Sequence, residues 1–197
     1  MNGHGGVDAL GYVENFPDPQ CGKDDVVVRV KSTSLNYHDI FTRNGMPGIK
    51  ISMPMICGLD AAGEIAEIGA NVSGWKIGER VLIDPRNRVE GGLVGETIHG
   101  GLAEYCRVKE HQLVRIPDGV SFDQASSLPV AYGTAHRMMM TIGQVTSDDK
   151  ILILGASGGV GTGALLLAKM AGAEVVVCAS SDSKMDCLLY TSDAADE

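Results

Sequence analysis

Apolar and polar positions change their period partway along the chain. Residues 26–30 (Val-Val-Val-Arg-Val) read as a strand, and Pro17-Asp-Pro19 ahead of them as a turn. Further strands are predicted over 60–68, 78–83, 100–108 and 112–116, separated by glycine-rich connections. Many short strands with such turns predict a compact β barrel up to about residue 120.

After Pro117-Asp-Gly119 the period becomes helical. Ser121 with Gln124 three residues on forms a capping box, so a helix starts there and stops at Pro129. A second helix is predicted through His136 and Met138 to Gly143. Residues 150–154 and 174–179 read as buried strands. Between them lie a glycine loop over 155–161 and a helix over 162–171 that Gly172 ends. The order strand, loop, helix, strand is one βαβ unit.

Composition narrows the function classes. The chain of 197 residues has a formal net charge of -9 and a pI near 5.0. Nucleic-acid binders carry a basic face, so that partner class is not expected. The five cysteines are scattered and odd in number, which argues against a disulfide framework and points to reduced thiols. No apolar run reaches the roughly 18 residues of a membrane helix, and no signal peptide is seen. A cytoplasmic location and no membrane partner are the expectation.

The loop carries the plainest chemistry. In Gly155-Ala-Ser-Gly158-Gly-Val-Gly161 the first glycine permits the tight turn, the next lets backbone approach a pyrophosphate, and the last allows close helix–strand packing. The following helix offers free N–H groups to phosphate. Gly155, Ser157, Gly158, Gly159, Val160 and Gly161 are therefore the candidate cofactor loop.

With the segment before it, this unit resembles the medium-chain dehydrogenase/reductase superfamily. The key stretch is Gly58-Leu-Asp60-Ala-Ala-Gly63, then Gly69, Val72 and Gly78-Glu-Arg-Val81; Ser34-Leu-Asn36-Tyr-His-Asp39 is similar to the family's segment near the nicotinamide. The resemblance implies an α/β fold with a GroES-like β-barrel catalytic domain over 1–120, followed by the first βαβ unit of an NAD(P)-binding Rossmann domain over 121–187. Residues 188–197 are expected to be a non-native tail. Both ends look cut, so the chain alone is expected to be poorly stable and inactive.

Departures from the family pattern are informative. Zinc-dependent members place cysteine, histidine and glutamate where Asn36, Leu59 and Asp60 stand, and structural cysteines where 84–99 has none. No metal is expected. The resemblance therefore points to the quinone-oxidoreductase and enoyl-reductase side: hydride from NADPH to a quinone or an activated double bond of a small-molecule substrate. The alternatives are an alcohol or aldehyde dehydrogenase of the same superfamily, or a non-catalytic nucleotide-binding protein. A homodimer or tetramer is expected for the full-length protein.

Asn36, Tyr37, His38 and Asp39 are the candidate catalytic residues. Asn36 is assigned to the nicotinamide or ribose, Tyr37 or His38 to a proton or hydrogen bond for the substrate oxygen, and Asp39 to orienting the others. The alternatives are a packing Tyr37 and an exposed loop His38. Asp60 reads as a buried structural acid and Cys57 as a small buried hydrophobe. His99, His111 and His136 have no evident partner. About 20 residues past the glycine loop, where NAD-binding domains carry an acid for the ribose, the count reaches Ser180. Ser180, Ser181 and Lys184 then suit a 2′-phosphate, which predicts NADP(H); a strand ending two residues later would bring Asp182 to that place and favour NAD.

Overall fold

The computed structural model describes residues 1–193. They form two compact units, the first ending at Pro129 and the second beginning at Val130.

The first unit is an antiparallel sheet of β1 (Asp25–Ser34), β2 (Asp60–Ile68), β3 (Arg80–Ile83), β4 (Tyr105–Lys109) and β5 (Leu113–Arg115). Its strand order is β4-β1-β2-β3-β5. Laid flat, four strand spacings would hold the β4 and β5 edges roughly 19 Å apart. Yet only the 3₁₀ turn Glu110–Gln112 joins them. Even fully extended, that link reaches at most about 14 Å. The sheet must therefore curl. The short link brings the two edges of the expected barrel towards each other, with no hydrogen-bonded ladder between β4 and β5 among the described residues.

Curling encloses the side chains that alternate inward. Val26 and Val28, Ala61 and Ile65, Val81 and Ile83, and Cys106 and Val108 make the main core with Val94 and Leu113. Burial pushes the Cys106 thiol up to about 12, so it acts as an apolar filler. Two register shifts in the β1–β2 pairing, at Val27/Val28 and Val30/Ser32, add the bend a curled sheet needs.

Beyond β1 the chain turns into α1 (Tyr37–Asn44). Helix α2 (Phe122–Ser126) follows the barrel. Its capping box is formed as the pattern predicts: Gln124 N–H donates to Ser121 Oγ at 3.1 Å, and Ser121 N–H to Gln124 Oε1 at 2.9 Å. The pattern opened the second domain with this helix. In the structure it lies within the first compact unit, packed on β1, β2 and β3, with Ser126 Oγ 2.9 Å from Ser32 Oγ.

The second unit holds α3 (Ala131–His136), β6 (Lys150–Leu154), α4 (Gly159–Met170), β7 (Glu174–Cys178) and α5 (Asp182–Asp193). Strands β6 and β7 pair in parallel. The helix predicted to reach Gly143 starts as α3 and continues as a π-helical stretch, Arg137–Ile142. It ends where Gly143 N–H donates to Met138 O at 2.8 Å. The two strands were expected to be buried, and this is corrected. Ile151, Ile153, Val175 and Val177 face the helices, but Leu152, Leu154 and Val176 are exposed. Among the described residues this sheet has only two strands and its helices cover one face.

The residues expected to be a tail begin inside α5. Met185 and Leu188, one helical turn apart, pack into the second core. Residues 194–197 lie outside the described residues.

Gly63 sits opposite Val30 at the second register shift, where a Cβ would run into the Arg29 carbonyl oxygen. Gly63→Ala is expected to destabilise the first unit by about 1–3 kcal/mol. A lower urea midpoint at unchanged slope reports this, and an unchanged midpoint contradicts it.

Candidate functional sites

In the first unit, three backbone segments meet at the start of α1. Asn36 is extended and caps the helix, and its N–H donates to Asp39 Oδ2 at 2.8 Å. The other Asp39 oxygen accepts the Gly58 N–H at 3.1 Å. Burial pushes the Asp39 carboxyl above its ordinary range, while the N–H donors of Asn36 and Gly58 and the neighbouring His38 pull it back. Asp39 thus joins the helix start to the segment that leads into β2.

Asp60, the first residue of β2, is fully buried. Its Oδ2 accepts from Ser34 Oγ at 2.8 Å and from Asn36 Nδ2 at 2.7 Å. Leu59 beside it is buried and has no ligand atom. The Asn36 amide is engaged in holding Asp60, which is buried as the sequence suggests. This donor set does not fit a zinc ion, which takes thiolate and imidazole.

Tyr37 and His38 open α1. Tyr37 is 71% exposed and meets Phe41 edge-on, with ring centroids 5.1 Å apart. It stands at the surface and does not fill a core. His38 is no free loop residue. It lies in the helix with Nε2 2.6 Å from Glu96 Oε2, and Glu96 itself is only 7% exposed.

Glu96 went unremarked in the sequence pattern, because its partner lies 58 residues away. The one available signal was a lone acid in the glycine-bounded, cysteine-free stretch. That stretch is laced to the segment before β2 by bonds from Gly100 N–H to Ile56 O, Gly101 N–H to Gly58 O and Leu102 N–H to Cys57 O, all 2.8–2.9 Å.

Two neighbours are structural. Cys57 is buried, and burial raises its thiol. His99, for which the sequence offered no partner, accepts the Ile56 N–H at 3.2 Å and packs edge-on against Phe16. Burial lowers its pKa, which favours the neutral ring.

In the second unit the glycine loop follows β6 directly. Gly155 has φ +65°, the left-handed turn that favours glycine. Ala156 N–H donates to Cys178 O at 3.1 Å and so ties the loop to the end of β7. Gly158 is the N-cap of α4. The helix starts at Gly159, three residues before the expected position, because glycine's low propensity hides the first turn.

The first helical bond there runs from Thr162 N–H to Gly158 O at 2.8 Å. The N–H groups of Gly159, Val160 and Gly161 therefore precede any intrahelical acceptor. A Cβ on Gly161 would come within 2.6 Å of Gly155 O and 2.7 Å of Ala156 Cα, so this position takes only glycine. Such a cradle of N–H groups at the start of a 12-residue helix fits a pyrophosphate. Ser157 lies in the same turn.

Past β7, Lys184 Nζ donates to Ser180 Oγ at 3.0 Å. Ser181 O accepts from the N–H groups of Lys184 and Met185, which starts α5, and Ser181 Oγ lies 3.2 Å from Ser183 Oγ. The strand ends at Cys178, one residue earlier than expected, so Asp182 falls on the first turn of α5.

Comparison with known proteins bears on these arrangements. The family described as the alcohol dehydrogenase GroES-like domain matches residues 22–118. The chain is 33% identical to an acryloyl-coenzyme A reductase of Sulfurisphaera tokodaii, covering 88% of this chain and 57% of the relative. It is 35% identical to a chloroplastic quinone-oxidoreductase of Triphysaria versicolor, covering 90% and 53%. A solved NAD-dependent alcohol dehydrogenase superposes with a TM-score of 0.88 at 30% identity, covering 97% of this chain and 60% of that one. The chain thus spans little more than half the length of these relatives. It belongs to the medium-chain dehydrogenase/reductase superfamily, and residues 22–118 match the alcohol dehydrogenase GroES-like domain.

Proposed function

We propose that the full-length protein reduces a quinone or an activated carbon–carbon double bond with NADPH and without zinc. One observation carries this reading. Where zinc-dependent relatives hold metal ligands, this chain has Asn36, Leu59 and Asp60, and the two polar side chains are bonded to each other at 2.7 Å. Without a Lewis acid, a plain alcohol–ketone exchange loses several kcal/mol of charge stabilisation at the substrate oxygen. In a conjugated acceptor the negative charge spreads away from the reacting carbon, and hydrogen-bond donors suffice to hold it. Tyr37 or His38 is the donor assigned to the substrate oxygen. Asn36 is assigned to the nicotinamide end and Asp39 to fixing the segment that carries all three.

The bound nicotinamide supplies the hydride. The N–H groups of Gly159, Val160 and Gly161 would hold its pyrophosphate, in the turn formed by Gly155, Ser157 and Gly158. Ser180 and Ser181 offer hydroxyls and Lys184 a point charge to a 2′-phosphate. The names of the reductase relatives favour this substrate class. The solved NAD-dependent alcohol dehydrogenase favours a second reading, an alcohol or aldehyde dehydrogenase using another metal site. A cytoplasmic location is proposed for this protein, whereas one relative is chloroplastic. Among the described residues no helix is long and apolar enough to cross a membrane.

Three outcomes are expected of the full-length protein. Elemental analysis finds no stoichiometric zinc, and chelation leaves quinone or enone turnover intact; zinc lost together with activity would favour the alcohol dehydrogenase reading. NADPH gives a higher kcat/KM than NADH, and Lys184→Ala lowers the NADPH value about tenfold, equal to about 1.4 kcal/mol, while sparing NADH. Equal values for the two cofactors rule out the 2′-phosphate assignment. Finally, Asn36→Ala lowers kcat more than it raises the dissociation constant for the cofactor, and undiminished turnover removes Asn36 from the site.

A further inference from the structure

Glu96 is an acid where an unpaired charge is costly. Its side chain is 9% exposed, and its hydrogen-bond partner among the described residues is the His38 ring. The turn that carries it is rigid. Glu96 N–H donates to Leu93 O, Gly95 N–H to Ile98 O at 2.7 Å, and Leu93 N–H to Thr97 Oγ1 at 2.8 Å. Gly95 has φ +79°, and a Cβ on it would come within 2.6 Å of Gly58 O. Gly58 in turn donates to Asp39, the residue after His38. Asp39, Gly58, Gly95, Glu96 and His38 therefore close a ring of contacts inside the first unit.

That ring dictates the state of the imidazole. An ionised carboxylate accepts and cannot donate, so the nitrogen facing it, Nε2, carries the hydrogen. Nδ1 has no hydrogen-bond partner among the described residues, and the side chain keeps about a third of its surface exposed.

We propose that Glu96 is the positioning residue for His38: its buried carboxylate fixes the ring's orientation and its Nε2–H, and reserves Nδ1 for the substrate oxygen. This rests on His38 being the proton donor of the reaction proposed above. In that step NADPH delivers the hydride to the remote carbon and the electron pair moves onto the substrate oxygen. The Nδ1–H bond of the imidazolium breaks as the O–H bond forms. The ring is left neutral, with its Nε2–H still on Glu96, and regains a proton from water before the next turnover.

The test combines imidazole ¹⁵N NMR with kinetics on the full-length protein. In the wild type, neutral His38 is expected as the Nε2–H tautomer, and an Nδ1–H tautomer overturns the proposal without any variant. Glu96→Ala is expected to give mixed tautomers and to lower kcat about tenfold to a hundredfold, with cofactor KM unchanged. Glu96→Gln keeps an acceptor oxygen for Nε2–H and is expected to restore both the tautomer and most of the turnover. A folded Glu96→Ala protein with wild-type kcat overturns the positioning role. If His38→Gln keeps full turnover while the tautomer still depends on Glu96, the proton-donor reading falls and the clamp itself stands.

Discussion

The Asp39 carboxylate receives one N–H from the start of its own helix and one from Gly58, and this pair of bonds organises the first unit's site. It sets where α1 begins and holds the segment leading into β2 alongside it. Everything placed near the site depends on that junction: Asn36 reaches Asp60, and His38 faces the turn bearing Glu96. The burial that raises the Asp39 carboxyl also makes the junction hard to replace. Two N–H groups, that of Gly58 buried, need an acceptor, and an apolar residue there would orphan both.

The pattern of the chain made the frame legible. Strand β2 was readable to its end residues and the α2 capping box to its partners, because alternation and caps are local signals. The glycine loop was also readable, since each glycine has a stated steric task. Three things were not. The His38–Glu96 contact and the His99 contacts pair residues more than 40 positions apart, and no periodic signal encodes such pairings. The start of α4 was hidden by glycines that are poor helix formers, one of which, Gly161, is required by the close approach to Gly155 and Ala156. The exposure of Leu152, Leu154 and Val176 was hidden because a run of apolar residues reads as buried whether or not something covers it.

The two glycine systems answer different demands. In the loop after β6, Gly161 leaves room for the backbone of the same turn. Around Gly58, Gly95, Gly100 and Gly101, they let three backbone segments touch each other without side chains between them. Part of that second arrangement lies in the cysteine-free stretch 84–99. Its product is a carboxylate presented to a histidine.

The way the sheet closes has a consequence for biosynthesis. Strand β4 completes one edge by pairing with β1, Asp25 against Lys109, across 84 residues of chain. At a synthesis rate of roughly 5–20 residues per second, β1 leaves the ribosome about 4–17 seconds before the strand that will cover it. For that interval an almost uninterrupted valine run has one bare edge. The nascent protein must therefore hold a sticky strand in a crowded compartment for longer than most small domains take to fold.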